Sequence, residues 1–441
     1  MIFGFGRNQK KVEKETDEDQ EEEFVLFQGA ANGNNPDLTT HGRLVQAGLL
    51  PAKKLVSDAL AVRGEMIRID QKGQVAASTV FIDTVPTAPT KMPALQGQAI
   101  VQILKLLSGL DIKVKNRPQA GAIKAEYDGK VYELRVNTQP MEGGTERLTI
   151  RAIDPAVKLE KPRDLGFSEA LIEKIRNYSA EKNGVILAAG PPFSGVTTLK
   201  LALMRCSDAY LYSIYFLANI GREISYVKMF ETLEGDDLSK TMMRASREDA
   251  DVLVIDPIDD PANAKAALEF SANCSIVSDL HAKDAAEAVA RLIKAVGPQL
   301  VANQLKLVAS QMFVRALCKT CRRAYRPNPT LLSKIGLPPE TRVLYRPTIA
   351  GAEPEEGEKA GEESFCDHCN GIGYKGKIAL LEIIEMTDGM KQTVQKGADP
   401  KAIRMQARID KTQSFQSDGL RAVVEGNTSL EELQRAFKSQ A

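Results

Sequence analysis

The sequence predicts an α/β protein: a P-loop domain built on a parallel sheet, a small α+β domain before it, and a cysteine-knuckle and helical region after it. Three observations carry this. Strand-like and helix-like stretches alternate from Asp164 onward, as in a parallel sheet with helices on both faces. The segment GPPFSGVTT, Gly190–Thr198, lies between the apolar run Val185–Ala189 and a helical LKLALMR. Two C-x-x-C pairs, Cys318/Cys321 and Cys366/Cys369, follow that domain.

At 441 residues, 43% of them hydrophobic, the chain has material for two or three cores. Lys+Arg and Asp+Glu are both 58, so charge gives no reason to expect nucleic acid as the main partner. The opening MIFGFGRNQKK lacks an apolar core long enough for a signal peptide, and no apolar run approaches the ~20 residues of a membrane span. The expectation is a cytosolic chain with indirect membrane contact.

In chain order, residues 1–23 end in a mostly acidic stretch without hydrophobic period and read as a disordered, solvated tail. Residues 24–90 hold a helix over Leu44–Val62 and a strand pair near Met66–Ile69 and Ser78–Ile82. They close on the Pro/Thr-rich run Thr84–Thr90, read as a linker. Residues 91–160 form the small α+β domain, with an amphipathic helix at Ala99–Leu110 and alternating runs at Ala122–Tyr127, Val131–Val136 and Arg147–Ile153. Asp128-Gly129 signals a hairpin between the first two runs.

Residues 161–315 form the P-loop domain, with strands at Gly184–Ala189, Tyr210–Leu217, Asp251–Ile255 and Ser275–Asp279. Helices are expected at Ser168–Tyr178, from the loop to Arg205, and at Pro261–Phe270, Ala285–Val296 and Pro298–Arg315. Residues 316–378 carry the cysteine pairs around a Gly/Glu-rich loop, Gly351–Glu363. Residues 379–441 are expected to be helical, with Thr428-Ser-Leu-Glu431 as a capping box for the last helix.

In a phosphate loop, backbone N–H groups and a helix N-terminus surround the phosphates, a Lys neutralises charge, and Ser/Thr holds Mg²⁺. Gly190, Ser194, Gly195, Thr197 and Thr198 keep that frame, but Val196 stands where Lys belongs. Such a site falls at the carboxyl ends of the strands. Four thiolates from Cys318, Cys321, Cys366 and Cys369 satisfy tetrahedral Zn²⁺ as a closed structural site, although His368 lies inside the second knuckle. Cys206 and Cys274 read as buried small hydrophobes.

From Ala99 to the C-terminus the chain resembles the type II secretion and type IV pilus assembly ATPases, hexameric RecA-like motors with a zinc element. Arg117-Pro-Gln-Ala-Gly121 resembles R-P-Q-D-G, and Leu134-Arg-Val-Asn137 resembles L-R-V-S. Ser278-Asp-Leu-His281-Ala-Lys-Asp284-Ala285 resembles S-T-L-H-T-N-D-A, and the zinc knuckles and Asp418-Gly-Leu420 through Gly426–Glu431 complete the order. The resemblance implies a RecA-like domain, an ATP/Mg²⁺ site, partner subunits of a homo- or hetero-hexamer, and inner-membrane platform proteins as contacts. It also implies a cytoplasmic protein, peripheral at the inner face of the cytoplasmic membrane. By the same resemblance His281 faces the phosphate side, and Arg135 and Arg151 face the nucleotide or bridge a domain interface.

The departures bear on activity. The family's loop reads G-P-T-G-S-G-K-T-T; here Phe193 replaces a glycine and Val196 the lysine. Counted without gaps, its I-E-D-P acidic pair falls on Ala218-Asn219. Its V-G-E-I-R-D segment falls on Ile255–Asp260, which puts Pro257 at the glutamate and Asp259 at the arginine. The resulting expectation is a ring member with impaired or lost hydrolysis and weakened ATP/Mg²⁺ binding. The alternative is an active ATPase in which Asp256 and Thr197 hold Mg²⁺ and Lys200, one helical turn after Val196, reaches a phosphate. A nucleic-acid-associated zinc protein is disfavoured by the charge balance.

Overall fold

The computed structural model describes residues 24–157, 161–217, 224–349 and 365–438. It forms two compact units, Met1–Ala156 and Val157–Ala441. The acidic tail, Ala218-Asn219 and the Gly351–Glu363 loop lie outside the described residues.

In the first unit the elements run β1 (Leu26–Ala30), α1 (Gly42–Ala61), β2 (Met66–Lys72), β3 (Val75–Ile82), β4 (Val85–Pro86) and β5 (Thr90–Pro93). They continue with α2 (Ala94–Leu107), β6 (Gln119–Tyr127), β7 (Lys130–Pro140) and β8 (Glu146–Ile153). The sheet order is β1-β6-β7-β8-β2-β3-β4, with β5 also on β3. On β7, Leu134, Val136 and Thr138 are buried while Arg135 and Asn137 are exposed, the two-residue period of a half-buried strand. One face of the sheet joins α1 and α2 in a single core that includes Ile69, Ile100, Leu104, Ile123 and Ile150. Asp128 and Gly129 both have positive φ, 50° and 67°, as the expected two-residue hairpin requires.

Two expectations are corrected here. Residues 24–90 and 91–160 are not separate regions: β2 pairs with β8, Met66 opposite Arg151, so strands from both share one sheet. The Thr84–Thr90 run is no linker either, because β4 and β5 extend the sheet beside β3. Pro is tolerated on such edge strands, where a missing N–H breaks no inner ladder.

The second unit continues with α3 (Glu169–Ala180), β9 (Val185–Gly190), α4 (Val196–Cys206), β10 (Ile214–Phe216) and β11 (Lys228–Met229). Then come α5 (Leu238–Ser246), β12 (Val252–Val254), α6 (Pro261–Phe270), β13 (Ser275–His281), α7 (Ala285–Val296) and α8 (Pro298–Gln304). The chain closes with β14 (Leu305–Leu317), β15 (Arg323–Tyr325), α9 (Pro329–Ile335), β16 (Leu344–Arg346), β17 (Tyr374–Glu385), α10 (Asp388–Gln395), α11 (Pro400–Ile409), α12 (Phe415–Val424) and α13 (Leu430–Lys438).

The main sheet is ordered β11-β10-β12-β13-β9-β14-β17. Its pairings are parallel except that of β14 with β17. On β9, Val185, Leu187 and Ala189 enter one core with α6, α7 and α8, while Ile186 and Ala188 enter another with α3 and α4. Both faces are therefore covered, as a parallel sheet requires.

The helix expected at Pro298–Arg315 ends at Gln304, and the rest is β14. Residues 307–312 of that strand are buried on both faces, so the apolar run has no two-residue alternation and resembles a buried helix. β17 (Tyr374–Glu385) also runs through residues 379–385, where helix was expected. The boundaries at 315/316 and 378/379 thus fall inside two paired strands. The last helix is capped one residue later than expected: Ser429 Oγ accepts from Glu432 N at 3.2 Å, while Thr428 Oγ1 donates to the Arg315 carbonyl.

Candidate functional site

The loop Gly190–Gly195 leaves the carboxyl end of the inner strand β9 and opens α4. A Cβ on Gly190 would overlap Ser194 Oγ and lie 2.9 Å from Val196 Cγ2, so the turn closes only with glycine. Gly195 sits at φ 83°, and a Cβ there would meet Gln311 Nε2 at 2.6 Å and Phe313 Cζ at 2.9 Å. Phe193 holds φ 72°, a conformation suited to glycine, with its ring exposed. Gln311, buried on β14, donates from Nε2 to the Ser194 carbonyl at 2.7 Å and props the loop from below. Ser194 Oγ and Gln311 Oε1 are buried without a hydrogen-bond partner. No side chain caps the N-terminus of α4. Thr197 is exposed and Thr198 half-buried in its first turn. The backbone frame of a phosphate loop is kept.

The charge of such a loop is not. Val196 is 7% exposed and packs into the apolar core beneath α4. The sequence suggested Lys200 as a displaced replacement, but its ammonium lies 2.6 Å from Asp279 Oδ1 and donates to the Ile255 carbonyl at 3.0 Å. That side chain is 3% exposed and tied under the ends of β12 and β13, so it is not available to a bound phosphate. Asp279, where the family pattern has Thr, was not singled out as a site residue; that departure was its sequence signal. Gln311 gave none, because β14 read as helix.

At the neighbouring strand ends, register places His281 beside Gly190. His281 Nδ1 lies 2.6 Å from Asp259 Oδ2, and its backbone N–H donates to Asp259 Oδ1. A carboxylate therefore orients the imidazole from the position where the family carries arginine. Asp256 follows β12, exposed, and its carbonyl accepts from Ser278 Oγ at 2.9 Å. Pro257, next in line, has no side-chain group able to polarise a water. The strand ends thus carry Asp256, Asp259 and Asp279, with Lys200 buried against Asp279 and Arg291 donating to the His281 carbonyl. The frame suits a polyphosphate, but the side-chain charges do not fit one with its Mg²⁺.

Arg135 and Arg151 belong to the first unit, directly opposite each other on β7 and β8. Arg135 Nε lies 2.6 Å from Glu133 Oε1. Burial, and then the Arg135 charge, hold the Arg151 guanidinium below its ordinary pKa, with Glu65 opposing.

The metal candidate is a separate centre. The four sulfurs of Cys318, Cys321, Cys366 and Cys369 all lie within 4.8 Å of one another. Asn370, Gly371 and Gly373 take positive φ, which turns the second knuckle so that Gly373 N–H donates to Cys369 Sγ at 3.3 Å. Four converging thiols fit Zn²⁺ in a closed tetrahedral site. His368 stands outside this set, with its imidazole 3.4 Å from Lys375 Nζ. Cys206 and Cys274 are buried elsewhere, and burial pushes both thiols up to about 12.

With this geometry in view, the chain belongs to the family described as type II/IV secretion system protein, which matches residues 46–435. It is 30% identical over 360 residues to the type IV pilus assembly ATPase TfpB of Acinetobacter baylyi, covering 80% of this chain and 59% of that protein. It is 26% identical over 387 residues to the type IV pilus assembly ATPase PilB of Thermus thermophilus, covering 86% of this chain and 42% of that one. To the type II secretion system protein E of Aeromonas hydrophila it is 28% identical over 397 residues, 87% of this chain and 74% of that one. The chain thus spans about half the length of the first two of these relatives. In fold it is similar to the ATPase DotB of Yersinia pseudotuberculosis, with a TM-score of 0.55, 13% identity, and coverage of 88% of this chain and 93% of that one. That likeness is one of fold and supports the expected RecA-like α/β class. No helix among the described residues is long and apolar enough to cross a membrane.

Proposed function

We propose that this chain is a catalytically degenerate subunit of a type II secretion or type IV pilus-like assembly machine, a ring member that transmits motion without hydrolysing ATP. The reading rests on one observation: Lys200, the lysine one helical turn after the position that lost its own, is locked in a buried pair with Asp279. Val196, Pro257 and Asp259 support it, since each removes or reverses a charge that phosphoryl transfer uses. Thr197, Thr198 and the loop backbone would still shape the domain and its neighbour contacts. Arg135 and Arg151 would act at a domain or subunit interface, and His281, held by Asp259, would position the strand end. Cys318, Cys321, Cys366 and Cys369 would hold a structural Zn²⁺ that pins the knuckles to the end of β14. In this role the protein sits on the cytoplasmic side against inner-membrane platform proteins, in a homo- or hetero-hexamer.

Calorimetry of the purified chain with ATP and Mg²⁺, alongside a Val196→Lys variant and a turnover assay, tests the reading. The expected result is no turnover above blank and no saturable binding at about micromolar ATP. Micromolar binding with turnover that Thr197→Ala abolishes would overturn it.

A further inference from the structure

The C-terminal part of the second unit contains a cavity of about 990 Å³ between α11, α12, α13 and β17, with the end of α9 at its rim. A second cavity of about 680 Å³ adjoins it and shares Ser417, Leu420 and Arg421 on α12. Ligand pockets for single small molecules hold roughly 300–1,000 Å³. Two in series along one helix make a groove longer than such a ligand fills.

Its floor is apolar, from Ala407, Phe415, Leu430, Leu433 and Phe437. Its rim is cationic. Lys334, Arg408 and Lys411 are exposed there, and none forms an ion pair with another described residue. Of the carboxylates lining the two cavities, Asp418, Glu382 and Glu425 are engaged, Glu425 with Arg421 at 2.9 Å, while Glu340 lines the second cavity together with Arg342. Asp418 accepts from Leu381 N at 2.9 Å and pairs with Arg421 at 2.7 Å. Glu382 accepts the Ala285 N–H at 2.9 Å, and burial, reinforced by the Asp284 charge, pushes its pKa up to about 7. Arg404, also at the groove, is paired with Asp284. Beside Arg408, Met405 and Ile409 present 61% and 67% of their surface one helical turn apart. An apolar channel lined by three exposed cations, Lys334 from α9 and Arg408 and Lys411 from α11 and its end, complements a helix or extended segment with apolar residues on one face and carboxylates beside them.

We infer that this groove is a docking site for an acidic amphipathic peptide segment of a partner protein, with Lys334, Arg408 and Lys411 pairing its carboxylates. The nucleotide site takes no part, so the inference stands or falls independently of the proposed loss of hydrolysis.

The test is a selection of displayed random peptides of about 16 residues on the full chain, followed by anisotropy titration of the enriched peptides. The enriched peptides should carry net negative charge and apolar residues three or four apart. They should bind about tenfold more weakly to a Lys334→Glu/Arg408→Glu/Lys411→Glu variant, and weaken when salt is raised from about 50 to about 300 mM. The corresponding triple Gln variant should fall between, with melting temperatures confirming that both variants fold. Enrichment of neutral or basic peptides, no enrichment, or equal affinity for the triple Glu variant would overturn the inference. So would acidic peptides lacking apolar residues binding as tightly as those that have them.

Discussion

Lys200 Nζ lies 2.6 Å from Asp279 Oδ1, one turn into the helix that the loop opens, and both side chains are within 5% of complete burial. A cation and an anion of the protein itself thus face each other under the loop. The pair belongs to the domain core and not to a ligand.

Breaking that pair from one side leaves a buried charge uncompensated, whereas removing both charges together does not. Lys200→Met or Asp279→Leu alone should therefore cost about 3–5 kcal/mol, and the double variant should recover most of it. Urea denaturation of the four proteins checks this; additive losses would mean that the two side chains act separately.

Within the loop, Phe193 and Gly195 make opposite predictions from similar backbone angles. Phe193 holds φ 72° while exposed, so Phe193→Gly relieves a left-handed strain of about 1–2 kcal/mol, offset in part by the extra entropy of the unfolded chain. Its stability should equal or exceed the parent's by about 1 kcal/mol. Gly195→Ala has no such relief, because its Cβ meets Gln311 and Phe313, and it should lose about 2–3 kcal/mol. Thermal melts of both variants give the comparison.

The four-cysteine centre predicts about one zinc per chain by elemental analysis. Cys321→Ser should reduce that to a small fraction, and a strong chelator should lower the melting temperature of the parent but not of the variant. A zinc content unaffected by the substitution would place the metal elsewhere.

Glu382 gives a pH dependence. Its folded-state pKa, about 7, lies above the ordinary glutamate value of 4.5, with burial the main cause. The folded protein therefore holds an extra proton between these values. The associated stability is full below about pH 4.5 and is lost as pH rises through about 7. Glu382→Gln should flatten that part of the stability profile, measured by denaturant midpoint across pH; an unchanged slope would assign it to other groups.

Much of this was legible in the chain itself. The sequence carries the strand–loop–helix frame at Gly190–Thr198, the helices at Pro261–Phe270 and Ala285–Val296, the Asp128-Gly129 hairpin and the cysteine spacing. Each depends on a local period, a turn residue or a fixed separation. The missing Lys at Val196 and the Pro257 and Asp259 positions are equally plain in one dimension, because they are identities and not geometry.

What the tertiary structure alone decided is where groups distant in sequence meet. β14 read as helix because residues 307–312, buried on both faces, lose the alternation that marks a strand, and for β17 too the pairing with β14 is what reveals the strand. Residues 24–90 joined the sheet of 91–160 through β2 on β8, a contact with no local signature. Helical spacing placed Lys200 on the same face as Val196, but spacing along one helix cannot say what lies across from it. Asp279, brought there by a parallel strand 79 positions later in the chain, supplied the buried partner that turned a candidate phosphate ligand into part of the core.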